Sequence, residues 1–333
     1  MIPALLVGAL AAAAVVAGPA EAGSVLRVGV RADAAPFSFA LDAGPHLQPP
    51  GPGPLYAAGF DGYVVHVCDA ALEALHRETP DLEVEAITVT AESRFKALRD
   101  EVPAAERIDI LCDPATVTPE RSRGLYVSMP IYLSGISFAY RKPFPENETC
   151  AAILGAVAET TTETNGMQQI LERGGWPRYR AVLNKALRSP EAVQQPVSAT
   201  CDAQPVVWAK THTDLANEFC DQDSPHVLYY VGDVEIVRSQ LALRKETCGF
   251  GIDDATYTEE RYAIYARIPE DPAVARDVLR FFAILGEKVF TDPDQAQSVL
   301  VESYRRTFLP DYRPSRLLQA FYWGLTGDTE VAR

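Results

Sequence analysis

An α/β protein of two lobes joined by a two-stranded hinge is what this sequence predicts, and three observations carry that reading. The chain has 333 residues, and at roughly 100 to 200 residues per domain about two domains are expected. Apolar runs of strand type alternate with amphipathic runs of helix type, in an order that builds parallel βαβ units twice. Two further β-rich runs, at 131–141 and 262–268, bracket the second series as an outgoing and a returning crossing. Lobe 1 is therefore expected at 23–133 and 265–333, with lobe 2 at 137–260 inserted into it.

The elements of lobe 1 follow in order. LRVGVR after Val25 reads as a strand, broken by the Ala34-Ala35-Pro36-Phe37-Ser38 turn. The segment 41–60 is dense in Pro and Gly and is expected to be a surface loop without helix or ladder. Tyr63–His76 has apolar residues at helical spacing, 82–89 alternates like a strand, Arg94–Leu98 reads as a short helix and 108–112 as a buried strand. Lobe 2 is expected to hold strands at 153–159, 205–210 and 226–232 and helices at 163–172, 213–220 and 233–241. The patterns 274–290 and 294–304 are helical and complete lobe 1, and LLQAFYWGL in the tail from 310 is a short amphipathic helix that caps a lobe.

Composition narrows the function. Hydrophobic residues at 47% and charged residues at 23% are those of a globular protein, and a formal charge of -15 opposes nucleic acid as a partner. Residues 1–22 form an apolar run closed by Ala20-Glu21-Ala22, a small-x-small cleavage pattern, so an exported chain cleaved near Ala22 is expected. After it no segment approaches the ~20 continuous apolar residues of a membrane span. Six cysteines, an even number in an exported chain, read as disulfides. They form no CxxC pair and have no companion His at zinc-ligand spacing, so neither metal nor cofactor is expected. Cys68 lies on the first long helix and Cys112 ends the strand before the next loop, and a bridge between them would hold that loop. Cys150, Cys201, Cys220 and Cys248 leave three pairings open.

The ordered set VGVRADAAPFS (28–38), GFDGYVVHVC (59–68), VTAESRFKAL (89–98), IDILCDPATVTPER (108–121) and YVSMPIYLSG (126–135) resembles the family 3 extracellular solute-binding proteins. These are the amino-acid receptors of ABC importers and have the two-lobed type II periplasmic-binding fold. The resemblance runs from about residue 25 to 305, and Thr116-Val117-Thr118-Pro119-Glu120-Arg121 is its most specific element. It implies a periplasmic, monomeric receptor that closes about a hinge at roughly 131–136 and 261–266 and is read by a membrane permease.

The chemistry of a free amino acid agrees with the residues that the resemblance assigns. A buried carboxylate and ammonium each need a charged partner. Arg121, expected one turn into a helix begun by Pro119, can fork onto a carboxylate, and it matches the family's α-carboxylate clamp, with Thr116 adding a contact. Thr161, in the Glu159-Thr160-Thr161-Thr162-Glu163 turn, matches the second lobe's carboxylate contact, although an N-cap with Glu163 closing a capping box explains the same segment. Glu159 stands where the family usually has Gly. Asp233 matches the acid that receives the α-ammonium, its bland alternative being a helix N-cap. Arg31, Arg94 and His212 coincide with residues of the glutamate- and aspartate-binding members, and three arginines in one cleft imply a dicarboxylic amino acid. Phe37 and Tyr63 are candidate cleft walls, although a core aromatic is the commoner fate. No catalytic residue is assigned. The competing classes are an enzyme of cyclohexadienyl-dehydratase type, with Glu159 and His212 as acid or base, and a sensor or accessory protein acting through the 310–333 tail.

Overall fold

Strand β1 (Val25–Arg31) runs parallel to β5 (Glu83–Val89) on one side and β6 (Ile110–Thr116) on the other, because the intervening helix α2 (Tyr63–Glu78) supplies the crossover that parallel neighbours require. The computed structural model describes residues 24–45, 47, 49, 51–144, 151–188, 196, 203–221, 227–290, 298–308, 312 and 314–326. The expected leader at 1–22, Cys150 and Cys201 lie outside them, as do the first residues of the patterns at 226–232 and 294–304.

Helix α2 has no side-chain N-cap. Its N-cap is Gly62, at φ 126°, where a Cβ would come within 2.5 Å of the Phe37 carbonyl. That close approach lets Tyr63 N–H and Val64 N–H donate to the Pro36 and Phe37 carbonyls at 3.0 and 2.8 Å, satisfying the helix start with the turn that follows β1. The 41–60 segment departs from the structureless loop expected. A helical turn α1 (Pro54–Ala57) forms there, and β4 (Phe60–Asp61) pairs with β3 (Ser38–Ala40), itself paired with β2 (Asp33–Ala34). Proline at N1 presets the turn, and Asp69 on α2 accepts the Leu55 and Tyr56 N–H groups at 2.8 and 3.1 Å.

The run at 131–141 is not one strand. Gly135 divides it into β8 (Tyr132–Ser134) and β9 (Ile136–Arg141), which belong to different sheets. A Cβ on Gly135 would lie 2.7 Å from the Thr258 carbonyl, so the crossing comes closer to its return path than any larger residue permits. The return is β13 (Phe250–Ile252) followed by β14 (Glu260–Ala266); β14 runs antiparallel to β8 with Glu260 opposite Ser134 and Tyr262 opposite Tyr132. The expected two-stranded crossing is thus a paired ribbon.

Strands β5-β1-β6-β14 and β7 (Tyr126–Val127), with β8 alongside β14, form the first sheet. The second has the order β11-β10-β12-β9-β13, where β10 (Ala152–Val157), β11 (Val206–Ala209) and β12 (Val227–Asp233) are parallel. Between them the chain forms α3 (Arg94–Leu98), α4 (Met167–Glu172), α5 (Arg180–Arg188), α6 (His212–Cys220) and α7 (Val234–Ala242). Helices α8 (Pro272–Val289), α9 (Val299–Phe308) and α10 (Arg316–Thr326) return to the first core. There Tyr322 donates to Tyr63 at 2.9 Å, so the tail helix caps that core. Strand β6 continues beyond the expected 108–112 through Pro114, next to a register shift in its ladder with β14. No helix among the described residues is long and apolar enough to cross a membrane.

Cys68 on α2 is bonded to Cys112 on β6, as anticipated, and Cys220 to Cys248. The first bridge closes a loop of sequence separation 44, for which restriction of the unfolded chain amounts to about 4 kcal/mol. The double variant Cys68→Ala/Cys112→Ala should therefore unfold in urea with a stability lower by about that amount, compared with the oxidised protein.

Candidate functional site

Both sheets present the carboxyl ends of their parallel strands to one cleft, which is where open α/β sheets leave unpaired backbone and loops to bind ligands. Arg31 ends β1, Thr116 ends β6, Arg94 follows β5, Thr161 follows β10, His212 follows β11 and Asp233 ends β12. All seven residues anticipated as ligand contacts, Arg121 included, lie in the loops or strand ends on this side. A cleft of about 580 Å³ opens beside Arg121 and Thr161, with Phe95, Lys96, Arg99 and Glu159 on its walls.

The Thr116 to Arg121 element makes a turn over 119–124 rather than the expected helix: Thr118 caps it, its hydroxyl accepting the Arg121 N–H at 3.1 Å and its carbonyl the Ser122 N–H at 2.9 Å, but the next bond is Arg123 N–H to the Glu120 carbonyl at 3.3 Å and Gly124 takes a left-handed φ of 73°, which ends it. The turn folds the Arg121 guanidinium back over the Phe95 ring, 5.1 Å from its centroid. There it donates only to carbonyls, Thr116 at 3.4 Å and Glu159 at 3.3 Å. Burial and the neighbouring Arg94 charge lower its pKa to about 10. Among the described residues no acid is paired with Arg121, although the Asp113 and Glu260 charges act on it from a distance. Thr116 and Thr161 hydroxyls meet across the cleft at 3.5 Å. Glu159 adopts a left-handed φ of 59°, which explains why glycine suits this position, and its N–H takes the Glu163 carboxylate at 2.6 Å.

Arg31 and Arg94 are already compensated. Arg31 forks onto Asp33 at 2.9 and 2.8 Å, and burial, which opposes charge, is outweighed by Asp33 and Asp113, so the guanidinium stays protonated above its ordinary range. Asp33 is held below the usual carboxylate range by Arg31 in spite of its own burial, and it reaches across the cleft to accept the His212 N–H at 2.9 Å. Arg94 is paired through Nη1 with the buried Asp113, while nearby Glu92 pairs with Lys96 at 2.9 Å. The three-arginine argument for a dicarboxylic ligand required uncompensated charges, and two of the three have partners. The His212 ring meets the Tyr230 hydroxyl at 2.9 Å, and burial followed by the Arg31 charge lowers its pKa to about 3, so it is neutral. Its backbone, not its ring, makes the cross-cleft contact. Phe37 and Tyr63 are fully buried in an aromatic cluster with Tyr132 and Phe308; Tyr63 donates to the Ile131 carbonyl at 2.7 Å, and Phe37 lies edge-on to Tyr262 at 5.0 Å. Both support the site from the core instead of walling it.

Sequence reading missed four members of the site, Asp33, Asp113, Glu260 and Tyr262. An acid inside the apolar run IDILCDP was the available signal for Asp113, and an acid two residues from Arg31 the signal for Asp33. Nothing local singled out Glu260 and Tyr262, whose place depends on the pairing of β14.

Among the described residues, seven buried side-chain polar atoms have no hydrogen-bond partner, and four belong here: Arg94 Nε, Asp233 Oδ1, Glu260 Oε2 and Tyr262 Oη. Asp233 begins α7 but does not cap it with its side chain. Burial, then the Glu260 charge, raise its pKa to about 7. Arg121 lines the cleft, while the unmet Arg94 Nε donor and the unmet oxygens of Asp233, Glu260 and Tyr262 lie buried outside its lining.

No protein-family model matches this chain, and no curated protein matches it. Solved structures do. An ancestral arginine-binding protein bound to glutamine is 15% identical, over 85% of this chain and 97% of that one, with a TM-score of 0.55. An ancestral amino acid-binding protein, a precursor of cyclohexadienyl dehydratase, is 17% identical over 85% and 95%, with a TM-score of 0.50. A histidine kinase sensor domain with similarity to periplasmic binding proteins is 15% identical over 80% and 91%, with a TM-score of 0.51. The fold is therefore that of the two-lobed periplasmic binding proteins. These likenesses establish the architecture, and the site above must carry the function.

Two outcomes test this electrostatic arrangement. Asp33→Ala leaves the Arg31 guanidinium buried and unpaired, which should cost about 3–5 kcal/mol at pH 7; Arg31→Met on that background should recover much of the loss in a double-mutant cycle by urea denaturation. Asp233 binds its proton more tightly in the folded than in the unfolded state, so the unliganded protein loses stability as pH rises from about 4 to 7. Asp233→Asn should remove that loss, gaining up to about 4 kcal/mol over wild type at pH 8 and nothing at pH 4, read from urea midpoints at the two pH values.

Proposed function

We propose that this chain is an exported solute-binding receptor that closes on a free α-amino acid. The observation that carries this reading is the sorting of the unsatisfied buried atoms by sign. An unmet donor stands on Arg94, beside an Arg121 guanidinium that donates to carbonyls rather than to an acid, and unmet acceptors stand on Asp233 and Glu260, the two kinds of group that a zwitterion would satisfy. The ligand's carboxylate goes to Arg121 and the Arg94 Nε–H, with Thr116 and Thr161 beside it, and its ammonium to Asp233. Arg31 and His212 hold the cleft's frame. An acidic side chain, the ligand expected from sequence, would need a further cation; Arg31 and Arg94 are paired with acids, whereas Arg99 on the cleft wall donates to the Glu120 and Arg121 carbonyls and is the cation placed to receive one.

The sheet membership supports a division near the expected limits, 23–133 with 265–333 and 137–260, joined by the β8–β14 ribbon and Gly135. Closure is favoured because the carboxylate contacts come from both sheets, so that only the closed form completes them. In the receptor reading the closed form is what a membrane permease recognises. The dehydratase reading has less support: the His212 ring is turned onto Tyr230, and Glu159 is exposed with its N–H and carbonyl committed to Glu163 and Arg121.

Thermal unfolding of the purified protein against the twenty amino acids and common dicarboxylates tests the proposal. A micromolar ligand at millimolar concentration should add about 4 kcal/mol and raise the Tm by several degrees. The methyl ester and the decarboxylated amine of the same amino acid should add nothing, and Arg121→Ala should abolish the response. Indifference to every amino acid would sink the receptor reading.

A further inference from the structure

The β8–β14 ribbon carries an acid that its own neighbourhood leaves unused. Glu260 lies opposite Ser134 in the antiparallel register, the position from which a hydroxyl would ordinarily serve a carboxylate. Ser134 instead donates to Glu235, which also accepts from Tyr312 at 2.9 Å and Tyr132 at 3.4 Å. Glu235 is therefore a satisfied structural acid, and Glu260, 3% exposed, keeps Oε2 without a partner. A buried carboxylate oxygen left so costs stability unless something else fills the place.

What could fill it is set by the groups around it. Tyr262, fully buried, follows Glu260 by two residues on β14 and so projects from the same face of the strand; its Oη stands beside the Asp233 carboxyl without a hydrogen bond of normal geometry. Asp233 ends the neighbouring β12 and is tied to the crossing by the Val234 N–H, which donates to the Gly135 carbonyl at 3.0 Å. Three unmet oxygens, Asp233 Oδ1, Glu260 Oε2 and Tyr262 Oη, thus border one buried place, and two of them carry acid charge. A primary ammonium has three N–H donors and a positive charge. A secondary ammonium has two such donors and a quaternary one none, so at least one of the three oxygens stays unmet.

We infer that Glu260, together with the Tyr262 hydroxyl, joins Asp233 in a three-acceptor site for the ligand's ammonium, which only a primary amine fills with three N–H donors, so that N-alkylated amino acids and imino acids are excluded. This inference rests on the amino-acid receptor reading. It gives Glu260 a specificity role that Asp233 alone does not supply, since a single carboxylate tolerates one N-methyl group by turning a remaining N–H toward itself.

The test is isothermal titration of the full protein with the twenty proteinogenic amino acids, L-proline among them as a secondary amine, and with the N-methyl derivative of each that binds. The same titrations are run on Glu260→Gln and Glu260→Asp, with circular dichroism and urea midpoints to verify folding. A charged hydrogen bond of this kind corresponds to roughly 10- to 100-fold in affinity. Wild type should bind primary amino acids and lose at least about tenfold for the N-methyl derivative. Glu260→Gln should weaken the primary amino acid by a similar factor and the N-methyl derivative far less, so that discrimination collapses. Glu260→Asp keeps the charge but withdraws the oxygen and should fall between the two, a second reading should the Gln variant fail to fold. Primary amino acids that bind folded Glu260→Gln with a Kd within twofold of wild type overturn the inference and leave the receptor reading standing. Wild type that binds no amino acid overturns both.

Discussion

The pairing of Arg31 with Asp33 is the interaction on which the rest of this cleft depends. A guanidinium buried at the end of a parallel strand cannot remain alone, and the acid two residues later answers both of its forked N–H groups. The same carboxylate accepts the His212 N–H, an unsatisfied donor at the start of α6, and so spans from one sheet's strand end to the other's helix start. The Gln240 side chain adds a bond to the Asp33 carbonyl at 3.1 Å. Arg31 is satisfied within the protein, as Arg94 is by Asp113, whereas Arg121 and Arg99 donate to carbonyls. A count of arginines therefore overstates the positive potential of this cleft.

The site is built at the expense of stability, which is how a binding cleft differs from a core. Around the ribbon three buried acids meet opposite fates. Glu235 receives three hydroxyl donors and serves the fold, one of them from Tyr312, whose ring also lies 4.9 Å from the Arg238 guanidinium and ties the tail to α7. Glu260 and Asp233 receive none at their inner oxygens and depress the stability of the unliganded protein. A ligand that brings an ammonium to them and a carboxylate to Arg121 exchanges several unmet polar groups for met ones in a single step, so binding and closure are thermodynamically one event.

Much of this was legible in the chain. The alternation of strand and helix patterns located nearly every element of both sheets, and Cys68 and Cys112 were correctly set on facing elements. The TxTxxR element was expected as a helix start and is a capped turn, since it is the left-handed Gly124 that stops the helix after Thr118 has capped it. Pattern failed at 54–61, where Pro and Gly suggested loop but Asp69, a helix residue more than ten positions away, supplied the acceptor that lets one helical turn form. It failed again at Gly135, where an unbroken apolar run conceals a change of sheet.

What the sequence by itself determined are the features that local chemistry controls: the periodicity of strands and helices, the insertion of one α/β series into another, and the arginine, threonine and aspartate that mark strand ends. What only the tertiary structure decided is which charges are already spent. Asp33, Asp113 and Glu260 gain their meaning from strands that are distant in sequence, β6 and β14 above all, and from a Ser134 hydroxyl that chooses Glu235 over its cross-strand neighbour. Electrostatic compensation is a property of proximity in space, and a linear pattern records the charges without recording their partners.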